Sequence, residues 1–132
     1  MDTHQRVITW RSTLAEAEQA SRQGEAAKSE RLYKEALTLA EQAGGLNDQE
    51  LVTSLIHLAD FYFASKSYDR AEPLYRRALE IYERIFGVEN FISAICMGSL
   101  GDVLAAQGKS SEAADVKRRS REVLILLQRV RA

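Results

Sequence analysis

Apolar residues recur along this chain in steps of three and four. Leu51, Leu55, Leu58, Ala59 and Tyr62 form one such series, and Leu74, Tyr75, Ala78, Leu79 and Tyr82 form another. Such spacing gathers side chains on one face of a helix. No stretch alternates strictly between apolar and polar residues, so strands are not expected. Short polar breaks fall at Gly24, at Ser65-Lys66-Ser67 and at Gly108-Lys109-Ser110, while Gly44-Gly45 and Gly87 separate one pair of periodic segments from the next. The pattern predicts six helices, near residues 5–22, 26–43, 48–64, 68–86, 90–106 and 110–130. The only proline, Pro73, lies near the start of the fourth. If that helix begins at Tyr68, Pro73 sits slightly deeper than the first turn and should bend it mildly.

The series also repeats at long range. Leu32, Tyr33, Ala36 and Leu37 match Leu74, Tyr75, Ala78 and Leu79, an offset of 42 residues (Leu32 to Leu74). The same offset carries Leu58, Asp60, Ala64, Ala71, Arg76, Arg77 and Glu80 onto Leu100, Asp102, Ala106, Ala113, Arg118, Arg119 and Glu122. A fixed period in this range marks stacked supersecondary units, none of which can bury its apolar face alone. Three copies, near 5–46, 47–88 and 89–130, fill residues 1–132 as a single domain.

In the middle copy, Leu55, Leu58, Ala59, Tyr62, Tyr68, Ala71, Tyr75 and Ala78 reproduce the large-and-small spacing of a tetratricopeptide repeat. The offset of 42, longer than the usual ~34, resembles the kinesin light chain type of that repeat, and the segment from Tyr68 to Gly87 is similar to its second helix and following turn. The resemblance implies an all-α fold, an α-α superhelix (solenoid) of three helix-turn-helix repeats. It is fullest in the middle copy. Repeat one carries Thr13, Ala17 and Ala20 where repeat two has Leu55, Ala59 and Tyr62, and in repeat three Lys117 and Ser120 replace Tyr75 and Ala78. The proline-rich turn common in that type is absent after Gly45 and Gly87. A HEAT or armadillo array has a similar period, but the Ala71/Tyr75/Ala78 spacing argues against it.

The resemblance also implies that the first helix of each repeat lines a concave face that takes peptides or helices. Carried over by column, that face holds Arg11, Thr53 and Ile95; Leu14, Ile56 and Gly98; Glu18, Asp60 and Asp102; and Ser21, Phe63 and Ala105. The acidic column is the sharpest of these. Flanked by Leu14, Ile56 and Phe63, it favours a protein or peptide ligand carrying Lys or Arg beside an apolar anchor. The competing explanation is that acids simply populate solvated helix faces. Family members that clamp a terminal carboxylate use Lys, Arg and Asn in these columns; Leu14, Ile56, Glu18 and Asp60 stand there instead, so that clamp is not expected.

A second signal lies in the last helix, where Ile125-Leu126 replace the outward pairs Glu41-Gln42 and Glu83-Arg84 of the earlier repeats. The run Val123–Leu127, followed by Val130, looks apolar on nearly every side and lacks the polar cap of a solenoid end. Self-association through Leu124, Ile125, Leu126 and Val130, as an isologous homodimer, is the expectation; a bend or a fold-back of the termini would also cover them. From Lys109 to Ala132 seven Lys or Arg outnumber three Asp or Glu, yet no aromatic residue interleaves them. That reads as a solvated face and not a nucleic-acid site.

Composition narrows the remaining possibilities. A chain of 132 residues with 45% hydrophobic and 28% charged residues reads as globular, and a net charge of −1 exerts no pull on nucleic acid or anionic membranes. Neither a signal peptide nor a bilayer-spanning run is legible, and the single Cys96 suits a reducing, cytoplasmic setting. His4 and His57 fall at unrelated phases, Cys96 faces no obvious base, and no glycine-rich phosphate loop occurs. No cofactor, metal or enzymatic activity is expected. The reading is a protein–protein interaction module that binds a peptide or helix through Leu14, Glu18, Ile56, Asp60, Phe63 and Asp102. A purely structural homo-oligomerisation module, or a sensor of a small signalling peptide, remains open.

Overall fold

The structure, a computed structural model, describes residues 2–42 and 48–131. Among them are six helices and no strands: α1 (Thr3–Arg22), α2 (Ala26–Glu41), α3 (Asp48–Ala64), α4 (Tyr68–Phe86), α5 (Phe91–Ala106) and α6 (Ser110–Arg131). The differences from the expected ends have local causes. Helix α1 starts early because Asp2 caps it, its carboxylate accepting from the Gln5 amide at 2.8 Å. Residue 90 drops out of α5 because Asn90 is the cap itself, accepting from the Ser93 amide at 2.8 Å. The Gly44-Gly45 break lies outside the described residues.

The turns inside the repeats share one construction. Gly24, Lys66 and Gly108 take φ of 75°, 63° and 81°. In each turn that residue donates to the carbonyl three back, and its successor to the one five back: Gly24 to Ser21 and Glu25 to Ala20, Lys66 to Phe63 and Ser67 to Tyr62, Gly108 to Ala105 and Lys109 to Leu104. This is a Schellman closure, which consumes carbonyls that a helix end leaves unpaired. Helix α4 instead ends on Gly87, at φ 79°.

The chain divides into two compact units, Met1–Phe61 and Tyr62–Ala132. In the first, α1 and α2 meet at small side chains: Ala17, Ala20 and Ala36 are essentially fully buried. Their smallness lets the Ser29 hydroxyl donate to the Ala17 carbonyl at 3.0 Å. Trp10, buried among Ala36 and Ala40 with Leu14, Leu39 and Leu51 alongside, donates its indole N–H to Ser54 Oγ at 2.7 Å. That hydroxyl in turn donates to the Glu50 carbonyl, so no polar atom of the pair is stranded.

In the second unit, α4, α5 and α6 enclose Tyr75, Ala78, Leu79, Met97, Leu100, Val103, Leu104 and Val116. Each such large side chain, taken fully from water, contributes about 1.5–3 kcal/mol. Ser120 replaces an alanine of the repeat pattern, and its hydroxyl finds the Ala94 carbonyl at 2.7 Å. The Cys96 thiol is buried, 3.4 Å from the Tyr75 carbonyl. Pro73 lies inside α4, which continues through it unbroken. Glu72 beside it accepts from Arg76 Nε at 2.8 Å and from Lys109 Nζ at 2.9 Å, while Arg76 also reaches Glu112. Those donors, Lys109 foremost and then Arg76, hold the Glu72 carboxyl below its ordinary range.

Candidate functional surfaces

In the first unit the expected residues come from α1 and α3. Leu14 and Ile56 are half-buried and Asp60 is exposed. Glu18 is not a bare acid: its Oε1 lies 3.1 Å from His57 Nε2. The other ring nitrogen of His57, Nδ1, lies 2.8 Å from the Thr53 carbonyl. Both nitrogens thus lie within hydrogen-bond distance of oxygen atoms, which fixes the ring between α1 and α3. Tyr33 of α2 packs beneath, its ring 6.3 Å from that of His57 and 5.7 Å from that of Phe61. Burial first, then the carboxylates of Glu18 and Asp60, push the Tyr33 phenol above its ordinary pKa, with Arg22 opposing. Glu18 and Asp60 of the predicted column thus both act on the Tyr33 phenol, with His57 beside Glu18.

In the second unit Phe63 is partly exposed and leans on Tyr68, with ring centroids 5.6 Å apart. Asp102 is engaged: Lys117 Nζ sits 2.9 Å from its Oδ1. The lysine stem runs so close to Gly101 that a Cβ there would come within 2.5 Å of Lys117 Cγ. Glu18 and Asp102 of the acidic column thus each have a basic neighbour, His57 and Lys117. A sequence clue for the second was at hand. Gly101 and Lys117 stand where repeat two has Ala59 and Tyr75, so a smaller residue and a longer one changed together. Phe91, which sequence reasoning passed over, and Ile95 are 55% and 49% exposed on α5.

The last helix is not apolar all round. Val123, Leu124 and Leu127 are half-buried, and Leu124 and Leu127 line a cleft of ≈ 360 Å³ with Glu89, Asn90 and Phe91. Ile125, Leu126 and Val130 point out, at 50%, 38% and 78% exposure. The neighbouring cations are largely matched by acids: Arg118 lies 3.6 Å from Asp115, and Arg119 lies 3.5 Å from Glu83. No helix among the described residues is long and apolar enough to cross a membrane, and no described group of His, Cys, Asp and Glu could hold a metal.

Residues 50–125, more than half of the chain, match the pattern of the tetratricopeptide repeat family. Among solved structures, the fold is similar to that of BtubC (BKLC) from P. vanneervenii, with a TM-score of 0.73 at 19% sequence identity. The similarity covers 97% of this chain and 59% of that one, so this chain spans about three fifths of the neighbour's length. No curated protein matches. The recognised repeat type and the all-α solenoid class accord with both findings.

Proposed function

Because the chain belongs to the tetratricopeptide repeat family, whose repeats generally mediate protein–protein interaction, we propose that it is a non-enzymatic interaction module that captures a peptide or helix. The three repeats would form one domain, working in the cytoplasm, where Cys96 stays reduced. The observation that carries the reading is the placement of Glu18 and exposed Asp60 on α1 and α3, the helices that also present half-buried Leu14 and Ile56. A negative potential beside apolar side chains suits a segment with Lys or Arg one helical turn from a Leu or Phe anchor. Phe63 and Asp102 offer the same pairing of chemistries in the second unit. Lys117, 2.9 Å from Asp102, tempers that acid.

The test uses helical peptides with Lys or Arg placed four residues from Leu or Phe, titrated by fluorescence polarisation. Asp60→Lys with Asp102→Lys should weaken binding about tenfold, since each exposed pair is worth ~0.2–1 kcal/mol and reversal turns attraction into repulsion. Equal affinity for wild type and variant, or no affinity for any basic peptide, would retire the reading. Exposure of Ile125, Leu126 and Val130 supports a second role, self-association through α6, in which half-buried Leu124 backs the contact.

A further inference from the structure

We infer that the partner of α6 is α6 of a second copy, paired antiparallel about a two-fold axis between Ile125 and Leu126; this rests on the self-association reading above. The argument begins with where these side chains sit. Ala113, Val116 and Ser120 turn α6 toward the rest of its unit, with Ser120 bonded to Ala94 of α5. At ~100° per residue, Glu122, Ile125, Leu126 and Arg129 fall within an arc of about 100° on the opposite side. Ile125 is 50% and Leu126 38% exposed there, two large apolar neighbours on a face otherwise polar.

The charges around them are arranged for a copy of the same helix. Glu122 lies 3 residues before Ile125, and Arg129 lies 3 residues after Leu126. An antiparallel two-fold centred between Ile125 and Leu126 sets each of these against the other in the partner helix. Glu122 then meets the partner's Arg129, and Arg129 meets the partner's Glu122. A parallel pairing would instead set Glu122 against Glu122 and Arg129 against Arg129, which repels. An isologous contact requires a surface complementary to itself, and this face has that property in both its apolar centre and its charged flanks. Among the described residues, the cation near Glu122 is Arg118 of its own helix, a loose 4.0 Å away.

The charge pattern makes the test specific. Wild type is measured by multi-angle light scattering and sedimentation over a hundredfold concentration range, and should shift from monomer to dimer. Glu122→Arg and Arg129→Glu should each weaken self-association at least tenfold, because each homodimer then faces two like-charge pairs. Mixed together, the two variants should form a 1:1 heterodimer of about wild-type affinity, since every pair across that interface is again opposite in sign. Circular dichroism of each variant secures that the fold is kept. A wild type that stays monomeric throughout overturns the self-association reading itself. A wild-type dimer whose single variants dimerise as well as it does, or whose mixture fails to associate, leaves self-association standing and overturns the antiparallel geometry.

Discussion

Lys66 occupies a turn position that its counterparts Gly24 and Gly108 give to glycine, and it holds the same left-handed conformation, at φ 63°. For a residue with a Cβ that conformation costs about 1–2 kcal/mol, whereas glycine adds about 0.5–1 kcal/mol of entropy to the unfolded chain. Lys66→Gly should therefore raise stability by roughly 0.5–1 kcal/mol, seen as a higher thermal midpoint in calorimetry. An unchanged or lower midpoint would show that the Schellman closure at Lys66 carries no strain. The turn itself was legible from its polar composition. That a lysine takes the glycine's conformation was not, because the residues of a turn do not reveal which one adopts positive φ. Partners behave the same way: the Glu18–His57 contact joins α1 to α3, and no spacing within either helix announces it.

At the scale of elements, α5 and α6 show why the third repeat departs from the pattern. Where repeat two carries Ala59 and Tyr75 in sequence, repeat three lays the Lys117 stem over Gly101 and ties its ammonium to Asp102. Gly101→Ala would ordinarily favour a helix by ~1 kcal/mol. Here the new methyl meets Lys117 Cγ, near the rigid end of that side chain, so the substitution should instead destabilise by about 1 kcal/mol in urea titration. Adding Lys117→Ala should recover most of the loss, since the two changes share one contact and will not add. Additive effects would place the conflict elsewhere. Helix number, order and approximate ends were all legible, because the 3.6-residue period and the glycine breaks are local properties. The orientation of the run from Val123 to Leu127 was not. Five apolar residues in succession carry no phase, and only packing against the start of α5 separates half-buried Leu124 and Leu127 from exposed Ile125 and Leu126.

For the molecule as a whole, the ion-pair network of the second unit should set part of its response to acid. Glu72 gathers α4, the turn before α6 and, through Arg76, α6 itself. Its carboxyl is depressed below the unfolded value of 4.5. A depressed acid contributes stability above its unfolded value and loses it as pH falls through the folded one. Wild type should thus exceed Glu72→Gln by about 1 kcal/mol at pH 7, with the gap closing as pH drops below 4.5. A gap that is constant with pH would mean Glu72 acts through shape and not charge. The repeat architecture was the most legible property at this scale, since an offset of 42 (Leu32 to Leu74) is visible by sliding the chain on itself.

The placement of two unique side chains equips the protein with its own instruments. The only tryptophan, Trp10, is buried in the first unit, and the only cysteine, Cys96, is buried in the second. Indole emission therefore reports the opening of residues 1–61, and the rate at which a thiol-reactive dye labels Cys96 reports the opening of residues 62–132. One denaturant series, read in both colours, can time the loss of each unit separately in the unaltered polypeptide, with no label introduced by mutation.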